Sequence, residues 1–132
     1  MTDEQPMILL VDDDEDFLFQ QRVQLEAEGF RVVQATSRAE AERMLAHQRP
    51  DLAIVDLMME DTDAGFTLCH HIKKKDASIP VILCTAVIGE TGLEFDASTP
   101  EEQSWVKADV MLSKPVRFEQ LKRELSRLLP RE

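Results

Sequence analysis

Met7-Ile8-Leu9-Leu10-Val11-Asp12-Asp13-Asp14 is a run of five apolar residues followed at once by three carboxylates. A strand with one wet face would alternate, so a short unbroken apolar run predicts a strand covered on both faces. Unpaired carboxylates cannot continue inside such a layer, so the strand is expected to end before Asp12. The same design recurs downstream. Leu52 to Val55 ends at Asp56, Val81 to Cys84 follows Pro80 and ends at Thr85, and Val110 to Leu112 leads to Ser113 and Lys114. Phe30 to Val33 reads as one more strand.

Helical patterns separate these runs. After Asp14, Leu18 and Leu25 fall seven apart on one face, and Gly29 offers a C-terminal cap. Ser37 is an N-cap with Glu40 completing a capping box, and Ala41, Met44 and Leu45 face inward before Pro50 breaks the chain. Phe66, Cys69 and Ile72 mark a helix after Gly65 that closes on Lys73, Lys74 and Lys75, a solvated end favoured by the helix dipole. Residues 86–98 have no period and contain Gly89 and Gly92, so they read as a long loop. Thr99-Pro100-Glu101-Glu102 then reads as a helix start. A final helix carries Phe118, Leu121, Leu125 and Leu128. Strand and helix alternate five times, which predicts an α/β, doubly wound parallel sheet. Ligands of such sheets bind beyond the carboxyl ends of the strands.

Composition narrows the function. The 132 residues suit one domain, and a net charge of −11 argues against nucleic acid held on a basic surface. The apolar run at Met7 is too short for a signal peptide, and no stretch reaches membrane-spanning length. Cys69 and Cys84 lack metal-type spacing and sit in apolar patterns, so they read as buried reduced thiols of a cytoplasmic protein. His47, His70 and His71 have no partner at ligand spacing. Arg117, Lys122, Arg123 and Arg127 read as a solvated face of the last helix.

The chemistry gathers at the strand ends. A parallel sheet brings Asp12, Asp13, Asp14, Asp56, Thr85 and Lys114 to one rim. Several carboxylates there repel one another without a cation, and hard oxygen ligands suit Mg²⁺. Lys114 can neutralise a phosphoryl oxygen and the Thr85 hydroxyl can donate to another, so the rim suits phosphoryl transfer to a carboxylate. Each residue also has a plainer reading. Asp12 to Asp14 suit a helix N-cap cluster, Asp56 suits a turn, and Thr85 is a common strand residue.

The segments Ile8-Leu9-Leu10-Val11-Asp12-Asp13-Asp14, Pro50 to Met59, Pro80-Val81-Ile82-Leu83-Cys84-Thr85-Ala86 and Ser113-Lys114-Pro115 resemble the signature of the response regulator receiver domain of bacterial two-component systems. The resemblance covers nearly the whole chain. It implies a flavodoxin-like (βα)₅ fold with strand order 2-1-3-4-5, and one receiver domain over 1–132 with its core at about 6–129. From the length of the sequence, no output domain is expected within it. The resemblance further implies Asp56 as phosphoacceptor and a Mg²⁺ site, or alternatively Mn²⁺, made by Asp13 as a direct ligand, Asp12 through water, Asp56 and the backbone carbonyl of Met58. Thr85 and Lys114 would sense the phosphoryl group, with a cis bond before Pro115. The phosphoryl donor would be a sensor histidine kinase or a histidine phosphotransfer protein. The target is not named by the sequence, and a phosphorylation-dependent dimer is a family option. Such a domain is not an enzyme beyond its own phosphorylation and slow dephosphorylation.

The chain departs from the pattern in three places. Glu60-Asp61-Thr62-Asp63 replaces the usual Pro-Gly after the methionines and adds negative charge beside Asp56. The connection from Thr85 to Lys114 is long, and Trp105 within it suggests, with Ala86 and Val87, a shaped partner surface. Met111 stands where receivers usually carry an aromatic switch residue. Met58 and Val87 flank the expected path of hydrolytic water and cannot activate it, which implies slow dephosphorylation. Two rival readings remain open here. One is an unphosphorylated pseudo-receiver used only for docking. The other is a phosphatase, because Asp12-Asp13-Asp14 also resembles the Asp-x-Asp motif of haloacid-dehalogenase hydrolases.

Overall fold

The computed structural model describes residues 5–56, 64–85, 109–113 and 116–129, the side chains of residues 64, 66, 85 and 113 excepted. In chain order the elements are β1 (Met7–Val11), α1 (Glu15–Ala27), β2 (Arg31–Ala35), α2 (Arg38–Leu45), β3 (Leu52–Asp56), α3 (Ala64–Lys75), β4 (Val81–Thr85), β5 (Val110–Ser113) and α4 (Phe118–Leu128). The five strands form one parallel sheet of order β2-β1-β3-β4-β5, the flavodoxin-like arrangement the sequence predicts.

Strand parity builds the two faces. Leu9, Val11, Ala53, Val55, Val81 and Leu83 pack with Ala41 and Leu45 of α2 and Leu68, Cys69 and Ile72 of α3. Ile8, Leu10, Leu52, Ile54, Ile82 and Cys84 pack with Leu18 and Leu25 of α1 and Leu121 and Leu125 of α4. The three interior strands β1, β3 and β4 are therefore buried on two sides, which is why their sequences do not alternate. Cys69 and Cys84 are buried reduced thiols on opposite faces of the sheet. No helix among the described residues is long and apolar enough to cross a membrane.

The end of α1 fixes the turn into β2. Gly29 takes φ 97°, a left-handed conformation that costs glycine little. Its N–H donates to the Glu26 carbonyl at 3.1 Å, and the Phe30 N–H reaches back to the Leu25 carbonyl at 3.2 Å. These two bonds form a Schellman cap, with Phe30 and Leu25 sharing the same core cluster. Phe30 thus belongs to the cap, and β2 runs from Arg31 to Ala35 rather than from Phe30 to Val33. Pairing of Leu10 with Gln34 and of Val11 with Ala35 carries the strand beyond its most apolar residues.

Three other local expectations change. The Ser37 hydroxyl caps α2 by accepting from the Glu40 N–H at 3.1 Å, but the Glu40 carboxylate bonds the N–H and hydroxyl of Thr36, not Ser37. Helix α3 begins at Ala64, so Gly65 lies buried inside its first turn instead of preceding it. Lys73 is not a solvated helix end. Its side chain is 16% exposed, and its ammonium donates to the Ile79 carbonyl and to Asp109 Oδ2, each at 2.7 Å. Asp109 Oδ2 also accepts the Val81 N–H at 2.8 Å, so one carboxylate ties α3, the start of β4 and the approach to β5. His70 and His71 lie on the exposed surface of α3, as expected.

A second tie closes the amino-terminal edge of the sheet. Arg49 donates to Asp76 Oδ2 at 2.5 Å and to the Ser78 hydroxyl at 3.0 Å, while Asp51 Oδ2 accepts the Met7 N–H at 2.8 Å. The Ser78 hydroxyl, Arg49 and the Ser78 N–H hold the Asp76 carboxyl well below the usual carboxylate range. Thr36 lowers Glu40 in the same sense, through its N–H first and its hydroxyl second. A depressed carboxylate contributes stability that is present above its unfolded-state value and lost as pH falls toward its folded value. Stability should therefore decline on acidification below about pH 4. Asp76→Asn should flatten that decline in urea titrations run from pH 6 to pH 3. An unchanged acid limb would remove Asp76 as its source.

Candidate functional site

The carboxyl ends of β1 and β3 meet at the sheet centre. Val11 pairs with Val55, so continuing the register by one residue sets Asp12 opposite Asp56. Asp12 is 1% exposed and Asp56 is 6% exposed, whereas Asp13 is open to solvent. One carboxylate oxygen from each of Asp12, Asp13 and Asp56 lies within 4.8 Å of the other two. At the 4.8 Å limit and an effective dielectric constant near 20, two carboxylate charges repel by about 3 kcal/mol, less for pairs that include exposed Asp13. The sequence thus concentrates negative charge where a parallel sheet offers hard oxygen donors from two adjacent strands. This donor set fits Mg²⁺, which takes one or two carboxylates and keeps several waters.

The three consecutive aspartates have separate roles. Asp12 Oδ1 accepts the Asp14 N–H at 2.9 Å, and the Asp12 N–H donates to the Ala35 carbonyl at 3.1 Å. Asp14 caps α1, its Oδ1 accepting the N–H groups of Asp16 at 3.0 Å and Phe17 at 3.3 Å. The N-cap reading therefore holds for Asp14, while Asp12 and Asp13 join Asp56. An Asp-x-Asp pair acting together would need Asp14 beside Asp12, but its carboxylate is turned onto its own helix.

Thr85 is the last residue of β4, next to β3, and its backbone pairs with Ser113 at the end of β5. The strand ends preceding Thr85 and Lys114 thus share the rim with Asp12 and Asp56. The Thr85 side chain, Met58, Ala86, Val87, Trp105, Lys114, Pro115, the 60–63 loop and the expected helix start at Thr99 lie outside the described residues. Met111 is half-buried and packs against the cluster under α2 and α3. Sequence reading missed that α1 leaves Phe19 and Val23 exposed, one turn apart, at 67% and 50%. Their spacing on the face away from Leu18 and Leu25 was the available signal.

A doubly wound sheet of this order, with clustered aspartates at its carboxyl edge, defines a flavodoxin-like domain whose rim suits a hard cation and a phosphoryl group. The chain belongs to the response regulator receiver domain family, whose sequence profile matches residues 8–126. The family is a signalling domain of two-component phosphorelays and not a conventional enzyme. The DNA-binding dual master transcriptional regulator RpaA of Synechocystis sp. is 32% identical over 130 residues, covering 96% of this chain and 50% of its own length. The chain spans half or less of the length of that relative, of AfsQ1 from Streptomyces coelicolor and of GlrR from Escherichia coli. Among solved structures, a two-component response regulator from Clostridium difficile superposes with a TM-score of 0.80 at 24% identity, covering 96% of this chain and 98% of the other, a likeness of fold alone. The response regulator TrrA from Thermotoga maritima, solved in complex with Mg²⁺-BeF, gives a TM-score of 0.77 at 25% identity, covering 95% of this chain and all of the other.

Proposed function

We propose that this receiver domain is a phospho-switch that takes a phosphoryl group onto Asp56 in a Mg²⁺-dependent reaction. The observation that carries this reading is the convergence of Asp12, Asp13 and Asp56 within 4.8 Å at the carboxyl edge of the sheet. Asp13 and Asp56, the Met58 backbone carbonyl and, through water, Asp12 would hold the ion, with Mn²⁺ as an alternative ion. When bound, Mg²⁺ supplies charge neutralisation for the phosphoryl oxygens. The Mg²⁺-BeF complex of TrrA supports this choice of ion.

The donor is a phosphohistidine of a sensor kinase or histidine phosphotransfer protein. A carboxylate oxygen of Asp56 attacks phosphorus as the P–N bond breaks. The bond electrons stay with an imidazole that carries a proton on its other nitrogen and leaves neutral. The product is an acyl phosphate on Asp56, with Lys114 and the Thr85 hydroxyl on its oxygens. Met58 and Val87 offer no group to activate water, so the acyl phosphate is long-lived. Met111 repacks as the rim changes, and the surface around Trp105 meets the downstream partner. Residues 1–132 act as one receiver unit.

Incubation with acetyl phosphate should add one phosphoryl group in the presence of Mg²⁺ and none with chelator. Phosphorylation unaffected by chelator would remove the metal from this account.

A further inference from the structure

We propose that Asp14 is a positioning residue for the acidic site and acts through the backbone rather than through its charge. The inference rests on the Mg²⁺-dependent reading above. Only Asp12 to Asp14 separate the last residue of β1 from the first of α1, so any slack at Asp14 passes directly to Asp12 and Asp13. Asp14 is held on the helix by three bonds. Its Oδ1 accepts from Asp16 at 3.0 Å and Phe17 at 3.3 Å, and its carbonyl accepts the Leu18 N–H at 3.1 Å. Leu18 is fully buried, which anchors this first turn to the core.

The N–H of the same residue then points the other way and donates to Asp12 Oδ1 at 2.9 Å. On its far side Asp12 is tied to β2 through the Ala35 carbonyl at 3.1 Å. The buried Asp12 carboxylate is thus aimed by an amide that the helix cap fixes in place. Among the described residues, the carboxylates with oxygens within 4.8 Å of one another are Asp12, Asp13 and Asp56, and Asp14 is not among them. Its charge is turned onto the α1 amides, so its value to the site is conformational. A neutral side chain that still caps should serve as well.

The test is Mg²⁺ titration of the full chain by calorimetry, at fixed ionic strength and well below the unfolding midpoint. Wild type is compared with Asp14→Ala, Asp14→Ser and Asp14→Asn, each checked for folding by circular dichroism. Serine and asparagine retain the cap, whereas alanine forfeits it. The expected result is wild-type affinity, within about twofold, for the serine and asparagine variants and roughly fivefold weaker binding for alanine. Equal weakening in all three would assign the effect to charge and overturn the proposal. Undiminished binding by Asp14→Ala, with only a lower unfolding midpoint, would overturn it by making the cap purely structural. Absence of Mg²⁺ binding by folded wild type would instead overturn the functional reading itself and this inference with it.

Discussion

Asp13→Asn is expected to weaken Mg²⁺ binding at least about tenfold while making the metal-free protein more stable. Both effects have one cause. Three carboxylates place oxygens within 4.8 Å of one another, two of them buried, and their mutual repulsion opposes the fold until a cation offsets it. Removing one charge relieves two repulsive pairs. Asp13 is exposed, so solvent screens much of the repulsion and the gain is of order 1 kcal/mol. That corresponds to a rise in unfolding midpoint of a few degrees for a domain of this size, roughly 2 to 5 °C. Calorimetric titration reads the first effect, and thermal unfolding with and without Mg²⁺ reads the second. An Asp13→Asn protein that binds Mg²⁺ as wild type does would show that the ion is held elsewhere.

Leu9→Ala should cost about 3 kcal/mol of unfolding free energy. Leu9 is 1% exposed at the middle of β1, flanked in register by Val33 of β2 and Ala53 of β3. It belongs to the cluster under α2 and α3, so the lost methyl groups leave a cavity walled by sheet and helices. A domain of this kind is stable by only about 5–15 kcal/mol, and the loss is a large share of that. Urea unfolding measures it through a lowered midpoint at unchanged slope. A cost under about 1 kcal/mol would mean that the layer collapses to fill the space, contrary to the packing described.

Much of this architecture is legible because burial on two faces leaves a plain mark. Met7 to Val11 and Leu52 to Val55 are unbroken apolar runs, and each stops at an aspartate on the rim. The edge strand is harder to read. Gln34 and Ala35 belong to β2 by pairing with β1, while Phe30 is apolar because it packs as part of a helix cap. Lysine is usually solvated, so the low exposure of Lys73 follows only from knowing that the Ile79 carbonyl and Asp109 come within its reach. Gln21 likewise lies buried between Leu18 and Leu25, with its amide oxygen unpartnered among the described residues, and composition gives no sign of it.

The acidic site divides in the same way. Strand ends and a parallel sheet suffice to bring Asp12 and Asp56 together. The division of labour between Asp13 and Asp14 depends on backbone directions that no residue spacing encodes. The roles proposed for Met58, Thr85, Lys114 and Met111 rest on the family pattern, since an isolated threonine, methionine or lysine at a strand end has many plainer explanations.

The most direct test of the central claim is intact-protein mass spectrometry after incubation with acetyl phosphate and Mg²⁺, comparing wild type with Asp56→Asn. One phosphoryl adduct on wild type and none on the variant is the predicted result. A folded wild type that gains no adduct, or an Asp56→Asn protein that still gains one, would contradict it.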